Sequence, residues 1–364
     1  MKSKQKVLLG LSGGVDSAVA ALLLKKQGYI VIGAFMRCFS EEKNKITGEC
    51  SYIEDKKSAQ RIAAILKIKL IELNYEKEYS KEVIRPMFQA YANGLTPNPD
   101  SLCNTIIKFP FLWKEAKKQG CQYIATGHYI KNVKSGNKYY LKIPKDKSKD
   151  QSYFLYGLNQ KDLKHTLFPI GDYTKPQIRQ VAKDNNLSNW NRQGTRGLCF
   201  VGNINMKSFL KKKIMNKPGI IRSPEGQTIG RHDGMMFYTI GERLKENEQT
   251  TISNRYRNKV KSKLYIAEKN IKNNELIVAP ENHKALFKKQ FYIKNINWIS
   301  EKPKSKNILI RIRHLGDLNK AKIKQEKGKI KVILNKPIQG MAPGQSAVLY
   351  TKSKIMLGGG EIQH

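Results

Sequence analysis

Three short stretches of this chain hold residues whose types and spacing can do chemistry. The first is Ser12-Gly13-Gly14-Val15-Asp16-Ser17, between the apolar run Val7 to Leu11 and a helical stretch from Ala18 to Gln27. Two glycines let the backbone turn tightly and approach a ligand. The amide groups of the turn and the positive end of the following helix then favour an anion such as pyrophosphate. Ser12 and Ser17 add hydroxyl donors, and Asp16 could help hold Mg²⁺ against the phosphates. No Lys follows the glycines as it does in G-x-x-x-x-G-K-[ST], which excludes the loop of P-loop kinases and GTPases. A bare Ser-Gly-Gly turn is an ordinary loop; the full string in this position is far more specific.

The other two stretches are built around cysteine: TPNPDSLCNTIIKF at 96–109 and GLCFVG at 197–202, with Cys103 and Cys199 lying 96 positions apart. In the first, Pro97 and Pro99 stiffen the loop and Asp100 stands three residues before Cys103. Asn104 is expected to open a helix. A cysteine at a helix start has its thiol lowered from about 8.5, and thiolate is the form that attacks sulfur. Cys199 sits between glycines, with Arg192 and Arg196 near enough in sequence to stabilise a thiolate or persulfide. The chain has five cysteines, an odd number without a CxxC pair, which fits neither a secreted disulfide framework nor a structural zinc site. Cys38, Cys50 and Cys121 read as small buried hydrophobes. His128 follows Gly127 at an expected strand end, where a role in orienting the loop or nucleotide competes with that of a general base.

The elements that must position these residues follow from periodicity. A strand, the glycine loop, a helix closed by Gly28 and a second strand from Tyr29 to Met36 make a βαβ unit. The alternation continues with helix near 53–66, strand 68–73, helix near 75–92, helix 104–119 and strand 123–126. This predicts a doubly wound parallel sheet. Beyond about residue 205 the chain turns to short β-rich runs at 264–268, 275–278, 308–313, 330–334 and 346–350, with a joint near 274–284. The expected fold class is therefore α/β, a phosphate-loop domain over 1–205 followed by two small β-rich domains, 206–280 and a barrel-like 281–364. No apolar stretch is long enough to span a membrane and no signal-peptide pattern opens the chain, so a cytoplasmic enzyme without a membrane partner is expected.

Net charge is +39, from 68 basic and 29 acidic residues, which ordinarily signals a polyanionic partner such as nucleic acid. Only 13 of the 68 are Arg, and Asn and Ile are abundant, as codons rich in A and T would produce by themselves. The excess is shared by both halves, +17 over 1–205 and +22 over 206–364, so position does not decide between these readings.

The motifs NPDSLCN with IKF, ATGHY at 125–129, DQSYFL at 150–155, GLCFVG, and YTIGER at 238–243 resemble, in order and approximate spacing, bacterial tRNA-specific 2-thiouridylases, the MnmA/TrmU family within the PP-loop ATP pyrophosphatases. The likeness spans nearly the whole chain. It implies ATP-dependent adenylation of the 2-oxygen of a wobble uridine, then sulfur transfer from a cysteine persulfide. Cys103 takes the role of nucleophile, Cys199 that of persulfide carrier, Asp100 that of acid/base, and Cys103 and Cys199 pair in a transient disulfide. The nucleotide pocket maps to Gly10, Leu11, Ser12, Gly13, Gly14, Val15, Asp16, Ser17, Met36 and Gly127. The target-base contact maps to Asn98, Pro99 and Asp100, and other tRNA contacts to Lys149, Asp150, Gln151, Arg313 and His314. ATP with Mg²⁺, tRNAs for Lys, Glu and Gln, and a cysteine desulfurase or sulfur-relay protein are the implied cofactors and partners.

The chain departs from the family at Glu242, usually Gln, at His314, usually Tyr, and in LKENEQTTISNRYRNKVKSK, which replaces a Gly-rich continuation. These changes bear on tRNA docking more than on the chemistry. Three rivals stay open on sequence: an iron–sulfur cluster on Cys103, Cys199 and Asp100, a small-molecule ATP pyrophosphatase, and an ATP-gated RNA-binding protein without catalysis.

Overall fold

The computed structural model describes residues 4–40, 51–193, 201, 205–303, 305–326 and 328–363. Its first half is built on a five-stranded parallel sheet of β1 (Lys6–Gly10), β2 (Ile30–Arg37), β3 (Lys69–Asn74), β4 (Tyr123–Ala125) and β7 (Thr166–Leu167), in the order β3-β2-β1-β4-β7. Val7, Leu8 and Leu9 are wholly buried, as expected of a strand covered on both faces. Val7 and Leu9 pack with the helices Val15–Lys26, Ser51–Leu66 and Lys175–Asp184, while Leu8 packs on the other side with Met87, Phe109 and Leu112. The strand order reverses between β1 and β4. In open α/β sheets the crevice beyond the carboxyl ends of the strands at that point is where ligands bind.

Two expected helices are more complex than single runs. The stretch at 75–92 is helical from Glu76 to Ala92 but widens to a π-helical turn over Ser80–Ile84, directly before Pro86. The stretch expected from Asn104 begins earlier, at Pro99, with Asn98 as its N-cap, and passes through a π-helical turn at Cys103–Lys108 into Phe109–Lys118. Pro86 and Pro110 each remove an amide and crowd the preceding turn, the usual reason for such a bulge. An antiparallel hairpin, β5 (Lys131–Ser135) and β6 (Lys138–Lys142), follows β4.

The second half is β-rich. One sheet has the order β10-β9-β8-β12-β11, from β8 (Gly219–Arg222), β9 (Thr228–His232), β10 (Thr251–Ile252), β11 (Leu264–Asn270) and β12 (Glu275–Pro280). A closed barrel follows, from β13 (Phe287–Trp298), β14 (Asn307–Arg311), β15 (Asn319–Glu326), β16 (Lys329–Gln339), β17 (Ser346–Tyr350) and β18 (Met356–Gln363). Closure leaves the barrel without an open edge. Among the described residues no helix is long and apolar enough to cross a membrane.

Candidate active site

The loop from Gly10 to Ser17 lies at the carboxyl end of β1, at the switch point. Gly13 has φ +79°, and a Cβ there would stand 2.3 Å from the Asp55 carbonyl, so only glycine fits between the loop and the helix behind it. The Gly13 carbonyl accepts from Ser58 Oγ (2.7 Å), Asn189 Nδ2 (2.9 Å) and Arg192 Nη1 (3.1 Å). Ser17 Oγ donates to the Gly14 carbonyl (3.0 Å) and accepts from the Ser12 amide (3.2 Å). Gly14 is the N-cap of Val15–Lys26 and offers no side chain. The first amides of that helix therefore have neither an intrahelical partner nor a side-chain cap. Gly127 closes the other wall: a Cβ there would lie 2.7 Å from Ser17 N. Met36 is buried near the end of β2.

Asp16 is the centre of a charged cluster that sequence reading missed. Both of its carboxylate oxygens accept from Lys175 Nζ, at 2.6 and 2.7 Å, and one accepts from the Tyr129 hydroxyl at 2.7 Å. Burial and then the Asp16 carboxylate push the Tyr129 phenol far above its ordinary value, so it stays a donor. Lys175 comes from the first turn of the helix Lys175–Asp184, whose N-cap Thr174 forms a capping box with Gln177. The signal in sequence was Thr174-Lys175-Pro176-Gln177, a legible helix start whose cation lacked an evident partner. The loop lacks a lysine of its own, and this one reaches it from 159 positions away.

Arg192 also belongs here. It pairs with Asp55 at 2.6 Å and holds the Gly13 carbonyl at the phosphate loop; its expected partner Cys199 lies outside the described residues. Cys50, Arg196 and Cys199 lie outside the described residues.

Cys103 is wholly buried in the second turn of its helix. The expectation that it stands at a helix start is corrected: Asn98 Oδ1 accepts from the Ser101 amide (3.2 Å) and starts the helix at Pro99. This gives the first-turn position to Asp100 instead, and the dipole effect fades beyond that turn. Further on, Leu112 packs on Gly10, and the Phe109 ring lies 5.8 Å from that of His128, so one helix spans the ends of β1 and β4. His128 is buried, bonded through Nδ1 to Thr126 Oγ1 (2.7 Å). Burial, then Lys108, hold it well below its ordinary value. Its ring packs between those of Phe109 and Phe168. Cys38 and Cys121 are buried, and burial raises the Cys121 thiol.

The segment before Cys103 is clasped by the barrel. The Thr96 amide donates to the Pro343 carbonyl (2.9 Å), and Asn98 Nδ2 donates to Ser346 Oγ (3.0 Å). The Tyr153 hydroxyl donates to the Ser346 carbonyl (2.8 Å). Of the expected RNA contacts in the neighbouring loop, Lys149 alone has an exposed side chain. Asp150 is 0% exposed and paired with buried Arg311 at 2.6 Å, and Gln151 Oε1 accepts from the Tyr129 amide (2.9 Å). Asp150 thus ties the first domain to the barrel, while Gln151 braces Tyr129 within the first domain. Arg313 and His314 are exposed, with His314 Nε2 donating to the Asp150 carbonyl (3.0 Å) and its ring 4.5 Å from Phe154. The Asp100 carboxylate acts electrostatically on the same imidazole. Among the described residues no three His, Cys, Asp or Glu side chains converge as a metal site; Cys199 lies outside them.

Three family profiles match the chain in succession: "tRNA methyl transferase HUP domain" over 5–203, "tRNA methyl transferase PRC-barrel domain" over 207–280 and "Aminomethyltransferase beta-barrel domain" over 288–362. The chain is 42% identical over 364 residues to the tRNA-specific 2-thiouridylase MnmA of Blochmanniella floridana, covering 98% of this chain and 96% of that protein. It is 38% identical to MnmA of Legionella pneumophila strain Paris, with 99% of each covered. It is also 38% identical to MnmA 1 of Geobacillus kaustophilus, covering 95% of this chain and 92% of that one. A likeness of this extent, running through all three regions, shows that the chain belongs to the family of the tRNA-specific 2-thiouridylases MnmA.

Proposed function

We propose that this protein is a tRNA 2-thiouridylase that spends ATP on the 2-oxygen of a wobble uridine and replaces it with sulfur. The observation that carries this reading is the single helix that bears Cys103 and lays its next turns across the ends of β1 and β4, with Leu112 on Gly10 and Phe109 on His128. Activation and sulfur delivery then act on one base in one crevice.

A uracil 2-carbonyl resists substitution because its oxygen is a poor leaving group. ATP bound by Gly10 to Ser17, with Met36 and Gly127 beside it, presents its α-phosphorus to that oxygen. An O–P bond forms and pyrophosphate leaves. Asp16, a carboxylate flanked by hydroxyls, is a hard-oxygen donor suited to Mg²⁺, which supplies charge neutralisation at the phosphates. Lys175, released from Asp16, follows the phosphate charge.

The terminal sulfur of a persulfide on Cys199 attacks C2, and AMP departs with the original oxygen. The Cys103 thiolate then attacks the Cys199 sulfur, which frees the thiocarbonyl and leaves a Cys103–Cys199 disulfide that an external thiol reduces. Asp100 serves as the local proton acceptor. A cysteine desulfurase or sulfur-relay protein loads Cys199, and tRNAs for Lys, Glu and Gln are the substrates. The target base rests near Asn98, Pro99 and Asp100, with Lys149, Arg313 and His314 on the RNA; Asp150 and Gln151 position that surface from beneath. The working division of the chain is 1–205, 206–280 and 281–364, in the cytoplasm.

The test is nucleoside mass spectrometry of tRNA from cells lacking the gene and from cells complemented with it. Loss of wobble 2-thiouridine with restoration on complementation supports the reading. An unchanged nucleoside profile overturns it.

A further inference from the structure

The segment LKENEQTTISNRYRNKVKSK, residues 244–263, carries six basic and two acidic residues. It folds as β10 and the short helix Asn254–Lys259, and with the edge of β11 it encloses a cavity of about 310 Å³. The lining is the exposed Arg243, Lys261 and Lys263, the less exposed Leu244, Val260, Ser262 and Leu264, and Arg257 on the helix. Leu244 and Leu264 are buried, and the Leu244 amide donates to the Leu264 carbonyl (2.8 Å), which fixes the floor. Arg257 is paired with Glu246, whose other oxygen accepts from the Ile252 amide (2.8 Å), so the wall is tied to the sheet. Arg243, Lys261 and Lys263 are exposed, and none has a carboxylate within ion-pair distance among the described residues.

A pocket with one paired cation in its wall and three cations at its rim without an ion-pair partner among the described residues suits an anion. Arg243 pairs with Tyr265 in an isolated bridge and lies two residues after the turn at Gly241, which packs on Gly340 of the barrel. We propose that this cleft is a binding site for a backbone phosphate of the substrate tRNA, built by the very segment that departs from the family's pattern. The proposal rests on tRNA being the substrate. It makes Arg243, Lys261 and Lys263 determinants of affinity rather than of the chemical step.

The test compares Arg243→Gln/Lys261→Gln/Lys263→Gln with Lys320→Gln/Lys322→Gln/Lys336→Gln, which removes the same charge from exposed positions on the barrel. Binding of an unmodified tRNA transcript with a wobble uridine is measured across salt concentrations, with thermal melting as a check on folding. Each lost phosphate contact lowers the slope of log affinity against log salt by about 1. The cleft takes one phosphate, so its variant should lose about one unit of slope and about tenfold or more in affinity at moderate salt, with the barrel variant close to wild type. Equal losses in both variants would show diffuse charge and overturn the proposal. Unchanged tRNA binding with impaired sulfur loading from a donor protein would assign the cleft to an acidic protein partner and overturn it as well. Should the triple variant melt early, Ser262→Glu places a carboxylate among the same cations and must weaken tRNA binding; full affinity in that variant contradicts the site. A wild-type protein that binds tRNA with the expected slope yet forms no 2-thiouridine would fell the functional reading and leave the cleft standing.

Discussion

The two ends of the crevice are built on different plans. At the proposed nucleotide end, eight consecutive residues form the loop and Gly127 walls it, while Lys175, Asn189 and Arg192 charge or brace it from a distance. At the cysteine end only the Asn98 cap is local: Asn98 is also held by Ser346, Thr96 by Pro343, and the neighbouring Asp150 by Arg311, all from the barrel. The first end is a motif that folds with its own strand and helix. The second exists only once two domains have docked. A fault at the first should therefore strike chemistry with the fold intact, and a fault at the second should strike both.

The largest effect belongs to the residue that the docking serves. Cys103→Ser should lower 2-thiouridine formation by more than about a thousandfold, since a hydroxyl cannot resolve a persulfide. Labelled sulfur should still accumulate on the protein. Free turnover by this variant, assayed by nucleoside mass spectrometry, would remove Cys103 from the mechanism.

Next comes the cation of the phosphate loop. Lys175→Met should slow pyrophosphate release by about a hundred- to a thousandfold, with Lys175→Arg recovering part of it. tRNA affinity, carried by dispersed phosphate contacts, should stay within about twofold of wild type. A normal rate in the Met variant would mean that Lys175 merely neutralises Asp16.

The junction gives a smaller effect on rate and a clear one on stability. Arg311→Met leaves the buried Asp150 carboxylate without its partner and should cost about 3–5 kcal/mol in urea unfolding. The pair Asp150→Asn/Arg311→Met should regain most of that. If the single variant unfolds at the wild-type midpoint, the ion pair does not hold the domains.

The smallest effect lies away from both ends. Asp233 is 2% exposed; burial favours its neutral form, but Lys211, Lys207 and the Tyr238 hydroxyl outweigh that and hold it at about 2. A carboxyl lowered on folding contributes stability that is complete above its unfolded value near 3.9 and fades as pH falls toward 2. Asp233→Asn should thus be less stable than wild type by about 1–2 kcal/mol at pH 7, with the gap closing by pH 2 in thermal melts. A gap that widens in acid would contradict this.

The same contrast explains what could be read from the sequence. Most of the sheet and the loop were legible because βαβ units write their periodicity and glycines into short windows; Gly127 came from the family resemblance alone. Lys175 was not, because its partner is 159 positions away and nothing near it marks a site. Cys103 was misplaced by a turn, since Pro99 read as loop stiffening when it occupies the first helical position behind Asn98. In the barrel, β15 alternates lysines with Ala321 and Ile323 and reads as a solvated run; only closure turns those two inward. Strand β18, with Gly358, Gly359 and Gly360, was not among the expected β runs. A Cβ at Gly358 would meet the Asn297 carbonyl at 2.0 Å, so the glycines are there for close strand approach. Asp150, expected on the RNA surface, is fully buried because its ion-pair partner comes from another domain.

The most direct measurement follows the atom that the account says must leave. An anticodon stem-loop carrying ¹⁸O at the 2-position of the wobble uridine is incubated with the protein, ATP, Mg²⁺ and a loaded sulfur donor, and the nucleotide products are analysed by mass spectrometry. Adenylation followed by sulfur attack places one ¹⁸O in AMP for each 2-thiouridine formed, with unlabelled pyrophosphate. Label recovered in inorganic phosphate with ADP as the product, or 2-thiouridine formed with no label in AMP, would contradict the claim that the loop at Ser12 to Ser17 activates the oxygen that sulfur replaces.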